Sequence, residues 1–108
     1  MHDELSRLYA TILARRDNPG ENSYTGYLFA QGLDKILKKI GEECAETLIA
    51  AKNADNRETI GEISDLLFHL HVLMALQGIT PEDIAGELAH RAEKAGNLKQ
   101  FHQTDKNS

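Results

Sequence analysis

The sequence of 108 residues contains one cysteine, two prolines and no tryptophan. A single cysteine excludes an intrachain disulfide and a zinc site built from several thiolates. One thiol fits a reducing compartment, so we expect a cytoplasmic protein. The N-terminus lacks the basic and apolar regions of a signal peptide, and no low-complexity tract or internal repeat is present.

Long hydrophobic runs and an excess of basic residues are also missing. The longest apolar stretch, residues 66–76, is interrupted by two histidines and is too short to cross a bilayer, so no membrane partner is expected. The formal net charge is −5, and the absence of a basic stripe argues against nucleic acid as a partner. An acidic protein can still bind a phosphate compound if metal ions supply the positive charge.

What the sequence does contain is helical periodicity along most of its length. The pattern and its turn signals predict helices over about residues 4–16, 33–53, 57–77 and 81–96. Residues 17–31 lack a clear period and are predicted to form a loop with a short helical turn. No segment is convincing as a strand, so the predicted fold class is all-α. One domain over residues 1–96 is expected, followed by a polar tail over 97–108.

Each predicted helix has an expected buried face. In the helix over 33–53 the core stripe consists of Ile36, Ile40, Cys44, Thr47, Leu48 and Ala51. The helix over 57–77 is apolar on two sides, which indicates burial by neighbours on several faces. The last helix is expected to bury Ile84, Ala85, Leu88, Ala89 and Ala92. Because so small a domain has a modest core, oligomerisation would be a natural way to bury more apolar surface.

Two pairs of acidic residues suggest a metal site. Glu43 and Glu46 are three positions apart, as are Glu62 and Asp65, so each pair shares one helical face. Residues 47–61 leave room for one helix to end and an antiparallel neighbour to begin. Four carboxylates at one level suit a hard cation such as Mg²⁺, with Mn²⁺ as a substitute. A solvated surface explains most single pairs of this kind, but acids on an apolar helix are costly unless paired or metal-bound.

The histidines and the cysteine do not suggest a different chemistry. Di-iron helical bundles need Glu-x-x-His pairs, and no histidine stands at those positions here, which favours Mg²⁺ or Mn²⁺ over iron or zinc. His69 follows Asp65 by one turn and could hydrogen-bond to the acidic site. For His69 and His71 alike, the default interpretation is a partnered core or interface histidine. Cys44 is interpreted as a small buried side chain rather than a nucleophile.

Several stretches together resemble a known family. They are Ser23-Tyr24-Thr25, Lys38-Lys39-Ile40-Gly41-Glu42-Glu43-Cys44-Ala45-Glu46, Ala50-Ala51-Lys52 and Glu62-Ile63-Ser64-Asp65-Leu66-Leu67-Phe68-His69-Leu70. The sequence resembles phosphoribosyl-ATP pyrophosphatase, the HisE family of the MazG-like all-α NTP pyrophosphatase superfamily, over about residues 4–95. Cys44 and Ser64 stand where alanine is common, and Phe68 where tyrosine is common. None of these departures removes a carboxylate.

The resemblance implies a fold, a reaction and a set of site residues. The fold would be a four- to five-helix MazG-like bundle completed by homodimerisation. The reaction would be Mg²⁺-dependent hydrolysis of phosphoribosyl-ATP to phosphoribosyl-AMP and pyrophosphate, the second step of histidine biosynthesis. Carried over by position, the metal ligands would be Glu43, Glu46, Glu62 and Asp65, the catalytic residues Glu42, Glu43 and Glu46, and the substrate-binding residues Ser23, Thr25, Lys38 and Lys39. The fused cyclohydrolase of some relatives has no room in this sequence, so a free-standing enzyme is expected.

Two alternatives remain open from the sequence. The first keeps the metal site but acts on ordinary nucleoside triphosphates, as a MazG-like house-cleaning pyrophosphatase. The second is a non-catalytic helical dimerisation module whose acidic side chains are only solvated.

Overall fold

The computed structural model describes residues 3–94, which form five α-helices and no strand. The helices are α1 (Glu4–Asp17), α2 (Tyr24–Gln31), α3 (Leu33–Lys52), α4 (Asn56–Gln77) and α5 (Pro81–Glu93). The predicted all-α fold class is therefore confirmed. The predicted tail over residues 97–108 lies outside the described residues.

Local capping fixes most helix ends where the sequence predicted them. The side chains of Asp3, Asp55 and Thr80 each accept a hydrogen bond, at 3.1 Å, from the backbone N–H three residues further on. Thr80 and Asp83 form a reciprocal capping box, because the Asp83 carboxylate accepts from the Thr80 N–H at 2.9 Å. Gly78 ends α4 in the left-handed conformation, with φ of 75°.

Helix α2 corrects the prediction for residues 17–31. Residues 24–31 form an eight-residue helix rather than a loop with a single turn. The Ser23 hydroxyl caps it by accepting from the Gly26 N–H at 3.0 Å. Gly26 is needed there, because a Cβ added to it would lie 2.6 Å from the Cβ of Pro19. The helix is too short and too evenly apolar to show a period in the sequence.

The core lies where α1, α2, α3 and α4 meet. Its buried members are Tyr9, Ile12, Leu28, Ile36, Val72 and Ala75. The turn of residues 53–55 joins α3 to α4, and these two helices form the most extensive pair in the described fold. Helix α5 has few backbone contacts with the other described helices, and these are with α1. It therefore lies at the margin of this core.

The buried face of α3 differs from the predicted stripe. Ile36, Glu43 and Ala50 are buried, seven positions apart, whereas Cys44 and Leu48 are exposed, and so is Ala51. The helix is rotated by about one position relative to the prediction, which had Glu43 only at the border. Leu48 and Ile49 are consequently exposed, and so is Ile60 near the start of α4.

The prediction for the last helix is wrong for the single chain. No residue of α5 is buried by the rest of residues 3–94, and Ile84, Ala85, Leu88, Ala89 and Ala92 are all exposed. Three of these side chains, Ile84, Ala85 and Leu88, instead line an apolar groove of about 470 Å³ between α1, α4 and α5. The apolar face exists as predicted, but no element of the described chain covers it.

Helix α4 is long and apolar, and its bounds are close to the predicted residues 57–77. It has 22 residues and is long and apolar enough, by length and composition alone, to cross a membrane. Core helices of soluble proteins meet the same criterion. The acidic side chains of Glu62 and Asp65 on this helix have a specific structural setting, described below.

Candidate active site

Helices α3 and α4 bring three of the four predicted metal ligands together. One carboxylate oxygen each from Glu43, Glu62 and Asp65 lie within 4.8 Å of one another. Glu43 is buried, Glu62 is half-buried and Asp65 is exposed, so the cluster extends from the helix interface to the surface. The Glu-x-x-Asp spacing directs both α4 acids to one face, and the rotation of α3 turns Glu43 towards them.

Two oxygens of this cluster have no partner among the described residues. Glu43 Oε1 and Glu62 Oε1 are both buried, and neither forms a hydrogen bond within residues 3–94. A buried carboxylate oxygen without a partner is unfavourable unless a proton or a cation compensates it. The cluster therefore has the electrostatic character of a cation site.

The pKa of Glu62 reflects the same crowding. Burial, and then the neighbouring carboxylates of Glu46 and Glu43, raise the pKa of Glu62 to about 7 from an ordinary value of 4.5. Glu46 thus lies beside Glu62, although it is outside the group of three that share the 4.8 Å spacing. Its own side chain is exposed to solvent.

These residues fit a hard divalent cation. The three donors are all carboxylate oxygens, without the histidine or cysteine that zinc prefers. Each Mg–O distance is about 2.1 Å, so ligand oxygens around one ion are about 3–4 Å apart. The three carboxylate oxygens lie within 4.8 Å of one another, which is close to that spacing.

Glu42 does not join the carboxylate cluster. Its side chain is exposed and forms an ion pair with Lys39, three positions earlier, in which Oε1 lies 3.3 Å from Nζ. Lys38 is exposed. Lys39 lies about one turn before Glu43 on α3, and its charge interacts with that of Glu43.

The two predicted substrate residues of the loop take structural positions at the start of α2. The Ser23 hydroxyl is the helix cap and accepts a hydrogen bond there, which leaves its O–H available to donate elsewhere. Thr25 is buried, with 8% of its surface exposed, so it has little surface to offer a ligand.

Two side chains beside the cluster, Tyr24 and His69, form a hydrogen bond with each other. The Tyr24 hydroxyl is 2.8 Å from His69 Nε2, and His69 Nδ1 is 2.8 Å from the backbone carbonyl oxygen of Asp65. The spacing of four residues had linked His69 to Asp65, but the contact is to the backbone and not to the carboxylate. His71 is a core histidine, as interpreted: its Nδ1 is 2.7 Å from the Leu67 carbonyl oxygen, and its ring meets Tyr9 edge-on.

Comparison with known proteins identifies the family of this chain. The model of the family described as phosphoribosyl-ATP pyrophosphohydrolase matches residues 5–92. The chain belongs to this family. The resemblance inferred from the acidic pairs and the Ser-Tyr-Thr stretch is therefore confirmed.

Individual relatives are similar over most of the chain. A phosphoribosyl-ATP pyrophosphatase of Pelotomaculum thermopropionicum is 55% identical over 92 residues, which cover 85% of this chain and 94% of the relative. One of Clostridium botulinum is 51% identical over 100 residues, covering 93% of this chain and 91% of the relative. The histidine biosynthesis bifunctional protein HisIE of Lactococcus lactis is 49% identical over 100 residues, but the match spans only 47% of its length.

Proposed function

We propose that this chain hydrolyses phosphoribosyl-ATP to phosphoribosyl-AMP and pyrophosphate, as a step of histidine biosynthesis in the cytoplasm. The observation that carries the proposal is the cluster of Glu43, Glu62 and Asp65 within a family whose relatives are named for this reaction. A divalent cation is the expected complement of the cluster's two unpaired buried oxygens.

Mg²⁺ is the proposed cofactor, with Mn²⁺ as a substitute. Glu43, Glu62 and Asp65 would hold it, and Glu46, beside Glu62, is the proposed fourth ligand. When bound, the ion would neutralise triphosphate charge and make water a better nucleophile. The cluster offers only oxygen donors, which is the reason to prefer these two metals.

The remaining side chains have proposed roles on the substrate and on the attacking water. Lys38 and Lys39 supply positive charge for phosphate oxygens, and Glu42 holds Lys39 in its ion pair. The Ser23 O–H, not used in its cap, can donate to phosphate or ribose, whereas Thr25 has the least accessible surface of the proposed substrate residues.

The proposed reaction is one hydrolytic displacement at phosphorus. A water oxygen forms a bond to phosphorus as the anhydride bond between the α- and β-phosphates breaks, and pyrophosphate leaves. The water proton passes to a nearby carboxylate and then to solvent. We assign this proton to Glu46, which is exposed and lies beside the cluster, with Glu43 and Glu42 as the other catalytic carboxylates.

The direct test is pyrophosphate release from phosphoribosyl-ATP, with and without Mg²⁺. We expect Mg²⁺-dependent release by the wild type and a decrease of about 100-fold or more in Glu46→Gln. Glu58→Gln, an exposed position in the first turn of α4, is the matched control and should retain activity. Wild-type protein that releases no pyrophosphate under these conditions would contradict the proposal.

The same assay separates the two alternatives. Faster turnover of ordinary deoxynucleoside triphosphates than of phosphoribosyl-ATP would favour a house-cleaning pyrophosphatase. Calorimetric titration that finds no Mg²⁺ binding would favour a non-catalytic helical module.

We also propose that the chain forms a homodimer. Leu48, Ile49 and Ile60 are 71%, 60% and 65% exposed at the α3–α4 end, and Leu88 is 61% exposed beside the apolar groove. So much apolar surface on a small chain is typical of an interface. A second copy would cover it, and sedimentation analysis of the intact protein should give twice the mass of one chain.

A further inference from the structure

The hydrogen bond between Tyr24 and His69 joins the start of α2 to the part of α4 that bears the acidic site. It connects residues 45 positions apart, with 2.8 Å between the hydroxyl oxygen and Nε2. The capping bonds of Ser23 and Asp55, by comparison, span three residues. This bond is therefore a tertiary link and does not serve either helix on its own.

The donor and acceptor in this link follow from chemistry. His69 Nδ1 lies 2.8 Å from the Asp65 backbone carbonyl oxygen, which can only accept a hydrogen bond. Nδ1 must therefore carry the hydrogen, and in the neutral ring Nε2 is left as an acceptor. The Tyr24 hydroxyl then donates to Nε2, and its own lone pairs remain directed away from His69.

Aromatic contacts hold Tyr24 in this position. Its ring stacks with those of Tyr27 and Phe68, at centroid distances of 6.1 Å and 6.0 Å and interplanar angles of 24° and 27°. The ring of His69 meets it edge-on, 5.7 Å away at 82°. His69 itself is 5% exposed, so it has little room to change its orientation.

The surroundings of the Tyr24 hydroxyl connect it to the proposed site. Partial burial raises the pKa of the phenol. The charge of Lys39 lowers this pKa, and the charges of Glu43 and Glu42 raise it. Those three residues belong to the proposed metal and substrate machinery. Tyr24 also directly follows Ser23, so a shift of the Tyr24 backbone would move the proposed substrate contact at the start of α2.

From this geometry we infer that Tyr24 and His69 are a pair of positioning residues for phosphoribosyl-ATP. The Tyr24–His69 bond holds the start of α2, and Ser23 with it, at a fixed distance from the carboxylates of α3 and α4. This role rests on the proposed function, because it concerns how the same site receives its substrate. It adds a specific claim, which is that the tyrosine hydroxyl matters more than the ring's bulk.

The test is steady-state kinetics of Tyr24→Phe, which removes the hydroxyl and keeps the stacked ring. Loss of one such hydrogen bond should raise KM for phosphoribosyl-ATP about two- to tenfold, with the half-saturating Mg²⁺ concentration unchanged. Tyr27→Phe is the matched control, because its ring occupies the same stack while its hydroxyl forms no hydrogen bond within residues 3–94. It should leave KM at the wild-type value.

Variants at His69 test whether the two residues act as a pair. His69→Leu should raise KM as Tyr24→Phe does, and combining the two should raise it no further, since they remove one shared bond. His69→Gln retains an acceptor for the hydroxyl and should lie nearer to the wild type. The imidazole ¹⁵N resonance of Nε2 should shift in Tyr24→Phe but not in Tyr27→Phe, which reports the bond independently of turnover.

The possible failures are distinguishable. An active wild type whose KM is unaffected by Tyr24→Phe would overturn the positioning role and leave the proposed function intact. An unchanged Nε2 resonance would overturn the pair itself. A wild type that does not release pyrophosphate from phosphoribosyl-ATP would remove the proposed function, and the positioning role with it.

Discussion

Glu43 and Glu62 direct buried oxygens into the same small volume, where no group of the described chain compensates them. Residues selected for stability alone would not be arranged in this way, because an unpaired buried carboxylate is unfavourable. Binding sites commonly retain such residues at the expense of stability. The free energy of unfolding of the metal-free protein is therefore expected to depend on whether Glu62 is protonated.

That dependence predicts how Mg²⁺ and pH act on stability. Because the pKa of Glu62 is raised from 4.5 to about 7, the folded state binds more protons than the unfolded state between these values. The stabilising contribution of the protonated group is present at low pH and is lost as pH rises through 7. Mg²⁺ replaces the proton, so the rise in Tm on adding Mg²⁺ should be larger at pH 8 than at pH 6.

Thermal unfolding of Glu62→Gln provides the check on this prediction. The amide cannot titrate, so the metal-free variant should have a Tm at pH 8 at least as high as the wild type and should gain little from Mg²⁺. Glu58→Gln should behave like the wild type. A Mg²⁺ effect that is larger at pH 6, or a Glu62→Gln variant with a lower Tm at pH 8, would be inconsistent with the prediction.

Among the helices, α2 is the element whose position depends most on a single close contact. Gly26 packs on Pro19, and an added Cβ would lie 2.6 Å from the proline Cβ, which belongs to a rigid ring. Helix α2 also carries Tyr24 and the buried Leu28. The position of the helix thus depends on the absence of a side chain at residue 26.

Gly26→Ala is expected to destabilise the protein. The clash should cost about 1–3 kcal/mol, partly offset by the roughly 1 kcal/mol that alanine contributes over glycine inside a helix. Gly86→Ala in α5 is the control, because a Cβ there meets no atom within 4 Å, and it should add about 0.5–1 kcal/mol. Urea unfolding at one protein concentration measures both, and equal stabilities of the two variants would refute the steric argument.

The same elements show what a sequence can and cannot predict. The ends of α1, α4 and α5 were predictable because Asp3, Asp55 and Thr80 cap them within three residues. The convergence of Glu43, Glu62 and Asp65 was predictable for a similar reason, since helical spacing and a short turn largely determine it. Both signals are local in the chain.

Features that depend on tertiary packing were not predictable. The pattern of α3 predicted that Leu48 would be buried, and only packing against α4 decided that Ala50 is buried and Leu48 is not. The partner of Tyr24 is 45 residues away, so no spacing rule could have identified it. Leu88 was expected to be buried, but no other part of the described chain covers it.

At the scale of the whole molecule, the proposed homodimer makes a prediction for α5. Leu88 lines the apolar groove, so Leu88→Glu would place an unpaired charge in the interface and should weaken dimerisation by at least about 100-fold. His90→Glu adds a charge to the same helix on its opposite side and should leave the dimer intact. Sedimentation velocity of both variants is the measurement, and a dimeric Leu88→Glu protein would exclude this groove as the interface.

The exposed thiol of Cys44 gives the protein a natural position for a spectroscopic label. It is the one cysteine in the sequence, it follows the buried Glu43 directly, and it lies one turn before the exposed Leu48. A maleimide fluorophore would therefore attach at a single position without prior mutagenesis. Its emission would respond to cation binding at the adjacent carboxylate, and its rate of attachment would indicate whether a second copy shields this face of α3.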